Sequence, residues 1–243
     1  MYLGVDEAGK GPALGPMVAA AVITDPTSLP ADVDDSKQIA PARREEMAAA
    51  LRSDPDVAVG IARVEPAEID RPDTDMNTLT VRGQARAVRD ALADLPAGVA
   101  EPVRVVADAG DTSEERFAER LARFVAEGSE AAAGDDENGA TEETHRLPTV
   151  DVTAAHGADE DDPVVGAASV VAKVVRDAAM AEINAAYPEY DDLGSGYPSD
   201  PATRAFLREY VAETGDLPDC ARRSWATCDD LLAAAEQSAL NEF

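Results

Sequence analysis

The residue types best suited to chemistry crowd the start of the chain, where Tyr2-Leu3-Gly4-Val5 runs into Asp6-Glu7-Ala8-Gly9-Lys10-Gly11-Pro12. Two adjacent carboxylates at the end of a buried strand are electrostatically costly, and they call for a cation or a functional reason. Gly9 and Gly11 lack Cβ and let the backbone turn closely around whatever binds beside those acids. Two different sites could be built here. Gly4 to Lys10 nearly meets the phosphate-loop pattern, but Gly11 stands where a Ser or Thr hydroxyl would hold Mg²⁺. Asp6 and Glu7 would also repel the phosphates that such a loop cradles. Carboxylates acting as metal ligands account for the same residues without that conflict. A plain surface turn is the third alternative, and it leaves unexplained why the run sits beside the core-like stretch Val18 to Ile23.

Most of the 49 carboxylates must be solvated surface, so position has to narrow the field. Asp108 ends the apolar run Val103 to Ala107, and Asp159 lies just before a helix that Asp162-Pro163 begins. Three element ends carrying four acids could converge on a hard divalent cation, Mg²⁺ or Mn²⁺, because both prefer oxygen ligands. Ser169 and Lys173 stand four apart on that helix and face together. They suit a nucleophilic pair, or Lys173 simply snorkels from an apolar helix. His156 reads as structural, and His145 is uninformative. Asp34 and Asp111 adjoin these groups but are not assigned as ligands. Cys220 and Cys228 are too few for a disulfide framework and read as reduced structural residues.

The elements that must position these groups follow from hydrophobic period. Residues 2–6, 16–24 and 56–64 read as strands, as do 103–108 and 148–152. Helices are expected over 41–52, 74–95, 112–125 from a capping box at Thr112 and Glu115, 164–186, from Asp200-Pro201 onward, and 225–240. Three strands before any βα alternation, then strand and helix units, predict an α/β fold with a mixed sheet flanked by helices. Residues 127–143 turn to Gly, Ala, Asp, Glu and Asn without apolar period, and read as a flexible acidic insertion. A catalytic domain over 1–190 is expected, with a helical region over 191–243 packing on it.

Acidic residues outnumber basic ones by 49 to 21, for a net charge of −28, and only Lys10, Lys37 and Lys173 are lysines. Such a chain repels itself in dilute buffer, whereas at molar salt the screening length falls to roughly 3 Å. The composition resembles that of proteins from salt-accumulating archaea, so a salt-dependent fold is expected. It supplies no basic stripe, and a polyanion would have to be gripped by a few local donors. Asp6 and Glu7 interrupt the first apolar stretch, and no apolar run is of membrane-spanning length; a soluble, cytoplasmic protein without membrane contact is expected.

Taken in order, the motifs resemble the ribonuclease HII family in its archaeal form, within the ribonuclease H-like superfamily. Asp6-Glu7-Ala8-Gly9-Lys10-Gly11 is similar to its first motif and Asp35-Ser36-Lys37 to its second. Val106-Ala107-Asp108-Ala109 resembles the strand bearing a third acid; His156 to Asp159 and Pro163 to Lys173 resemble the fourth acid and its helix. Gly194-Ser195-Gly196-Tyr197-Pro198 and Arg222-Arg223-Ser224-Trp225 resemble two later motifs. The resemblance implies endonucleolytic cleavage of RNA in RNA/DNA hybrids and at ribonucleotides in duplex DNA, leaving 5′-phosphate and 3′-hydroxyl ends. It implies Mg²⁺ or Mn²⁺ held by Asp6, Glu7, Asp108 and Asp159 in a two-metal mechanism. It also implies a ribose 2′-hydroxyl read by Gly9, Lys10, Gly11 and Tyr197, and substrate phosphates near Ser169, Lys173 and Lys37. Departures are modest: Gly166 stands where serine is common, and Glu160 to Asp162 crowd the fourth acid. Gln237, Leu240 and Phe243 at the C-terminus resemble a sliding-clamp docking peptide, a pattern short enough to arise by chance. A monomer is expected. A nucleotide-binding enzyme and a non-catalytic acidic binding module are the competing function classes.

Overall fold

A computed structural model describes residues 1–30, 39–95, 99–131 and 147–241. The strands are β1 (Tyr2–Ala8), β2 (Met17–Thr24), β3 (Ala58–Val64), β4 (Val103–Asp108) and β5 (Val150–Ala155), in the sheet order β3-β2-β1-β4-β5. β1 and β2 are antiparallel, while β1, β4 and β5 run parallel. The expected mixed sheet flanked by helices is therefore the observed one. β2 is buried along its whole length, which is why it reads as an unbroken apolar run, whereas β3 alternates. The helices are α1 (Pro41–Ser53), α2 (Pro66–Ile69), α3 (Met76–Ala93), α4 (Glu114–Ala131), α5 (Ala158–Asp161), α6 (Pro163–Ala186), α7 (Pro201–Thr214) and α8 (Ala226–Asn241).

The chain divides into two compact units: Met1–Ala8, Val18–Arg63 and Asn77–Val174 form one, and Gly9–Met17, Val64–Met76 and Val175–Phe243 the other. In the first, Leu3 and Val5 of β1 and Val103, Val105 and Ala107 of β4 pack with Val81, Val88 and Leu92 of α3 and Phe117 and Leu121 of α4. By strand alternation, Gly4 and Asp6 of β1 and Val106 and Asp108 of β4 belong to the opposite face. That face meets α6 so closely that a Cβ on Gly4 would lie 2.4 Å from the Val164 carbonyl carbon. In the second unit, Leu14, Leu193, Phe206 and Leu207 form the core, and Tyr187, Tyr190, Phe206 and Tyr210 pack ring against ring.

Helix starts follow from local chemistry, with one correction. Asp162 Oδ1 accepts from the Val164 and Val165 amides, and Asp200 Oδ1 from Ala202, each before a first-turn proline as expected. The capping box at Thr112 and Glu115 does not form. α4 starts at Glu114, and the Ser113 hydroxyl accepts from the Arg116 amide at 3.3 Å, because Thr112 turns toward Asp111 and Arg116. α4 also runs to Ala131, through the first residues of the expected flexible insertion; residues 132–146 lie outside the described ones.

A latch joins the end of β5 to α4. The His156 amide donates to Glu114 Oε1 at 2.8 Å, its Nδ1 lies 2.9 Å from the same oxygen, and its Nε2 lies 2.6 Å from the Asp111 carbonyl. Only the imidazolium can donate from both ring nitrogens. The Asp111 carbonyl, and then Glu114, accordingly hold the imidazole pKa above its ordinary value against a smaller effect of burial. A folded-state pKa raised above the unfolded one stabilises at low pH, and that stabilisation is lost as pH rises through the folded value. His156→Ala should therefore lower the thermal midpoint at fixed KCl more at about pH 5.5 than at about pH 8.5. An equal loss at both would contradict the latch.

Candidate active site

Asp6 and Asp108 each follow one residue after the matched pair Val5 and Ala107, at the carboxyl ends of neighbouring parallel strands and on the same face. Such strands are about 4.8 Å apart, and strand ends of this kind are where open α/β sheets bind ligands. Asp6 is 4% exposed. Its carboxyl pKa is pushed well above the ordinary range, first by burial and then by the charge of Glu7, with Asp108 adding to it. Hydrogen bonds from the Ser169 hydroxyl and the Glu7 amide, the latter 2.7 Å long, pull in the opposite direction.

Glu7 alternates to the other face of β1 and meets α3. There Gln84, fully buried, donates from Nε2 to Glu7 Oε2 at 2.7 Å and to the Asp108 carbonyl at 3.0 Å. Its own Oε1 is buried without a hydrogen-bond partner. Asp108 Oδ1 accepts from the Ala158 amide at 2.8 Å, and this bond holds the start of α5 against the end of β4. Asp159 is the next residue and is buried. Gly157 makes the turn into α5 with φ of +70°, a conformation that a side chain would strain.

The four predicted acids thus lie at the ends of β1 and β4 and in α5, all in the first unit. Asp6, Glu7 and Asp108 are within electrostatic reach of one another. Among the described residues, no three His, Cys, Asp or Glu side chains are gathered into a metal-holding group. Asp6 and Asp108 share one face of the sheet, while Glu7, which accepts from Gln84, alternates to the other. The donor set still fits a hard divalent cation, because all of it is carboxylate oxygen and Asp6 is buried beside like charge.

Ser169, 1% exposed, reaches Asp6, and Lys173 Nζ lies 2.8 Å from Ser169 Oγ. The pair expected to face together does so, with its hydroxyl turned to a carboxylate. Asp111, close by in sequence, belongs to a different structure: Arg116 binds it through Nε and Nη2, Arg120 lies 3.5 Å away, and its pKa falls to about 2, chiefly through Arg116.

The second unit holds the glycine motif and Tyr197. Gly9 has φ of +84°, and a Cβ there would lie 2.4 Å from Arg176 Nε, so a side chain would be strained and would have to displace Arg176. A Cβ on Gly11 would make ordinary contact with the Tyr197 ring at 3.7 Å. The Tyr197 ring is 41% exposed, with the Arg176 guanidinium 5.5 Å from its centroid. Gly196 accepts from the Ala13 and Leu14 amides and donates to Thr203 Oγ1, which fixes the loop that carries Tyr197. Lys10 is half-buried. Arg222 is fully buried, and its guanidinium donates to three carbonyls, those of Gly9, Lys10 and Gly15.

Asp35, Ser36, Lys37 and Phe243 lie outside the described residues; Gln237 is exposed on α8, and Leu240 falls within that helix. Sequence reasoning missed Gln84 and Arg176 and gave Arg222 no role. Gln84 had a signal, a polar side chain on the buried stripe with Val88 and Ala91, and so did Arg176, a cation in the apolar run of α6. Among the described residues no helix is long and apolar enough to cross a membrane.

Comparison with known proteins shows the family. The family model described as Ribonuclease HII matches residues 3–228. A Ribonuclease HII of Haloarcula marismortui is 52% identical over 243 residues, covering all of both chains. Among solved structures, the ribonuclease H2 of Pyrococcus horikoshii superposes with a TM-score of 0.75 at 30% identity, covering 97% of this chain and 98% of that one. The RNase HII in a PCNA:RNase HII complex from Archaeoglobus fulgidus does so with a TM-score of 0.72 at 32% identity, covering 95% and 96%. The first motif, the strand-end acids and the glycine–tyrosine loop occur here in a chain that belongs to the ribonuclease HII family.

Proposed function

We propose that the protein is an endonuclease that hydrolyses the RNA strand of RNA/DNA hybrids and cuts at ribonucleotides embedded in duplex DNA, leaving 5′-phosphate and 3′-hydroxyl ends. Family membership supports ribonuclease H chemistry. The observation that carries the assignment to particular residues is the burial of Asp6 beside Asp108 and Glu7 at the ends of β1 and β4. Asp6, Glu7, Asp108 and Asp159 would hold Mg²⁺ or Mn²⁺. When bound, a pair of such ions supplies activation of the attacking water and stabilisation of the leaving 3′-oxygen.

The chain's own residues set the donors in place. The Glu7 amide and the Ser169 hydroxyl orient the Asp6 carboxylate, Gln84 orients Glu7, and the Ala158 amide fixes one oxygen of Asp108. Lys173 donates from Nζ to the Ser169 hydroxyl at 2.8 Å and so holds that side chain in place. Ser169, Lys173 and Lys37 also serve as candidate contacts to substrate phosphates. The ribose 2′-hydroxyl, the group that separates RNA from DNA, is read by Gly9, Lys10 and Gly11, with Tyr197 beneath the sugar. The exposure of the Tyr197 ring supports that role over packing.

With a net charge of −28, the enzyme works at high salt in the cytoplasm, as a monomer. Gln237, Leu240 and Phe243 form a docking peptide for a sliding clamp; the Archaeoglobus complex with PCNA supports a partner of this kind.

Three outcomes test this account. At molar KCl, a DNA duplex carrying one ribonucleotide should be cut with Mg²⁺ and left intact with chelator. Asp6→Asn should lower turnover more than about a hundredfold while hybrid binding stays measurable. Normal turnover in Asp6→Asn rejects the assignment of that residue. Deleting the last seven residues should abolish capture of the protein by an archaeal sliding clamp, and undiminished capture disposes of the docking peptide.

A further inference from the structure

The chemistry around Arg222 is unusual. A guanidinium is rarely fully buried without a carboxylate partner, yet all three nitrogens of Arg222 donate to backbone carbonyls: Nε to Gly15 at 3.0 Å, Nη1 to Lys10 at 2.9 Å and Nη2 to Gly9 at 2.6 Å. Burial, reinforced by the neighbouring Arg176, pushes its pKa down to about 10, so it remains charged at neutral pH. The Trp225 ring lies 5.0 Å from the guanidinium carbon, and its Nε1 donates to the Gly11 carbonyl at 3.1 Å. Three successive carbonyls, those of Gly9, Lys10 and Gly11, are thus held by two side chains of one C-terminal motif.

The consequence lies in the peptide planes. In a trans peptide the C=O and the N–H point in opposite directions. Fixing the Gly9 carbonyl on Arg222 turns the Lys10 amide away from the guanidinium, and fixing the Lys10 carbonyl does the same for the Gly11 amide. Gly11 is exposed, whereas Arg222 is not. The arrangement gives two consecutive amides with set directions and a positive charge behind them.

We propose that Arg222 and Trp225 are positioning residues for ribose discrimination, which hold the Gly9–Gly11 backbone so that its amides present to the 2′-hydroxyl. This rests on the reading of the ribose by the glycine motif proposed above. The fork of Arg222 is needed as well as its charge, because an ammonium cannot span three carbonyls in fixed geometry. Neither residue touches substrate, so both act through the loop.

The test compares KM for a duplex carrying one ribonucleotide with Ki for the same duplex in all-DNA form, used as an uncut competitor at molar KCl. The ratio Ki/KM measures discrimination. A general folding defect lowers the active fraction and kcat but leaves that ratio alone. Arg222→Lys should lower it by about tenfold and Trp225→Phe, which keeps the ring and loses one donor, by about threefold. If Arg222→Lys fails to fold, Trp225→Phe decides. An unchanged ratio in the variants, with only kcat or the thermal midpoint reduced, overturns the positioning role. A wild-type ratio near one overturns instead the reading of the ribose by the glycine motif.

Discussion

The dominant constraint is repulsion between carboxylates that the sheet forces together. Parallel pairing of β1 with β4 at Val5 and Ala107 leaves no choice about Asp6 and Asp108: they emerge side by side, on one face, at the same end. Burial makes the charge on Asp6 costly, and Glu7 makes it costlier. A fold selected only for stability would replace such a group with an apolar one. Here two neighbours do the reverse, the Glu7 amide and the Ser169 hydroxyl, whose hydrogen bonds favour the carboxylate. Gly4 belongs to the same design, because the closeness of β1 to α6 that brings Ser169 to Asp6 leaves no room for a side chain there.

Cations are sparse, and two of them, Arg176 and Arg222, are buried. In a chain of net charge −28, a nucleic acid gains little from long-range attraction, and at molar salt it gains less. The buried positive charges of Arg176 and Arg222 lie instead within the unit that carries the glycine motif and Tyr197, where screening by salt is weakest. Arg176 also crowds Gly9, where a Cβ would have to displace it. The acidic residues, by contrast, are spent largely on the outside, or locally, as where Asp111 holds Arg116.

Much of this was legible in the sequence because it depends on local rules. The strand carrying Asp6, which runs on to Ala8 rather than stopping at Asp6 as expected, the strand ending in Asp108 and the helix opened by Asp162-Pro163 follow from period and capping. The start of α4 misled because Thr112 and Ser113 are both competent caps, and the hydrogen bonds of Thr112 with its neighbours Asp111 and Arg116 decide between them. α2 and α5 are four residues each, too short to show a helical period. Gln84 and Arg222 carry meaning only through partners 77 and 213 positions away, Glu7 and Gly9, which no local pattern encodes. Gln84 left only a polar side chain on an otherwise apolar helix stripe, and Arg222 only its place in a short motif, without its partners.

The most direct measurement of the central claim is anomalous diffraction from crystals of the protein soaked in Mn²⁺. Manganese peaks within coordination distance of Asp6 and Asp108, with Glu7 or Asp159 completing the shell, are the predicted result. Manganese found only at surface carboxylates, with Asp6 and Asp108 uncoordinated, would contradict the account.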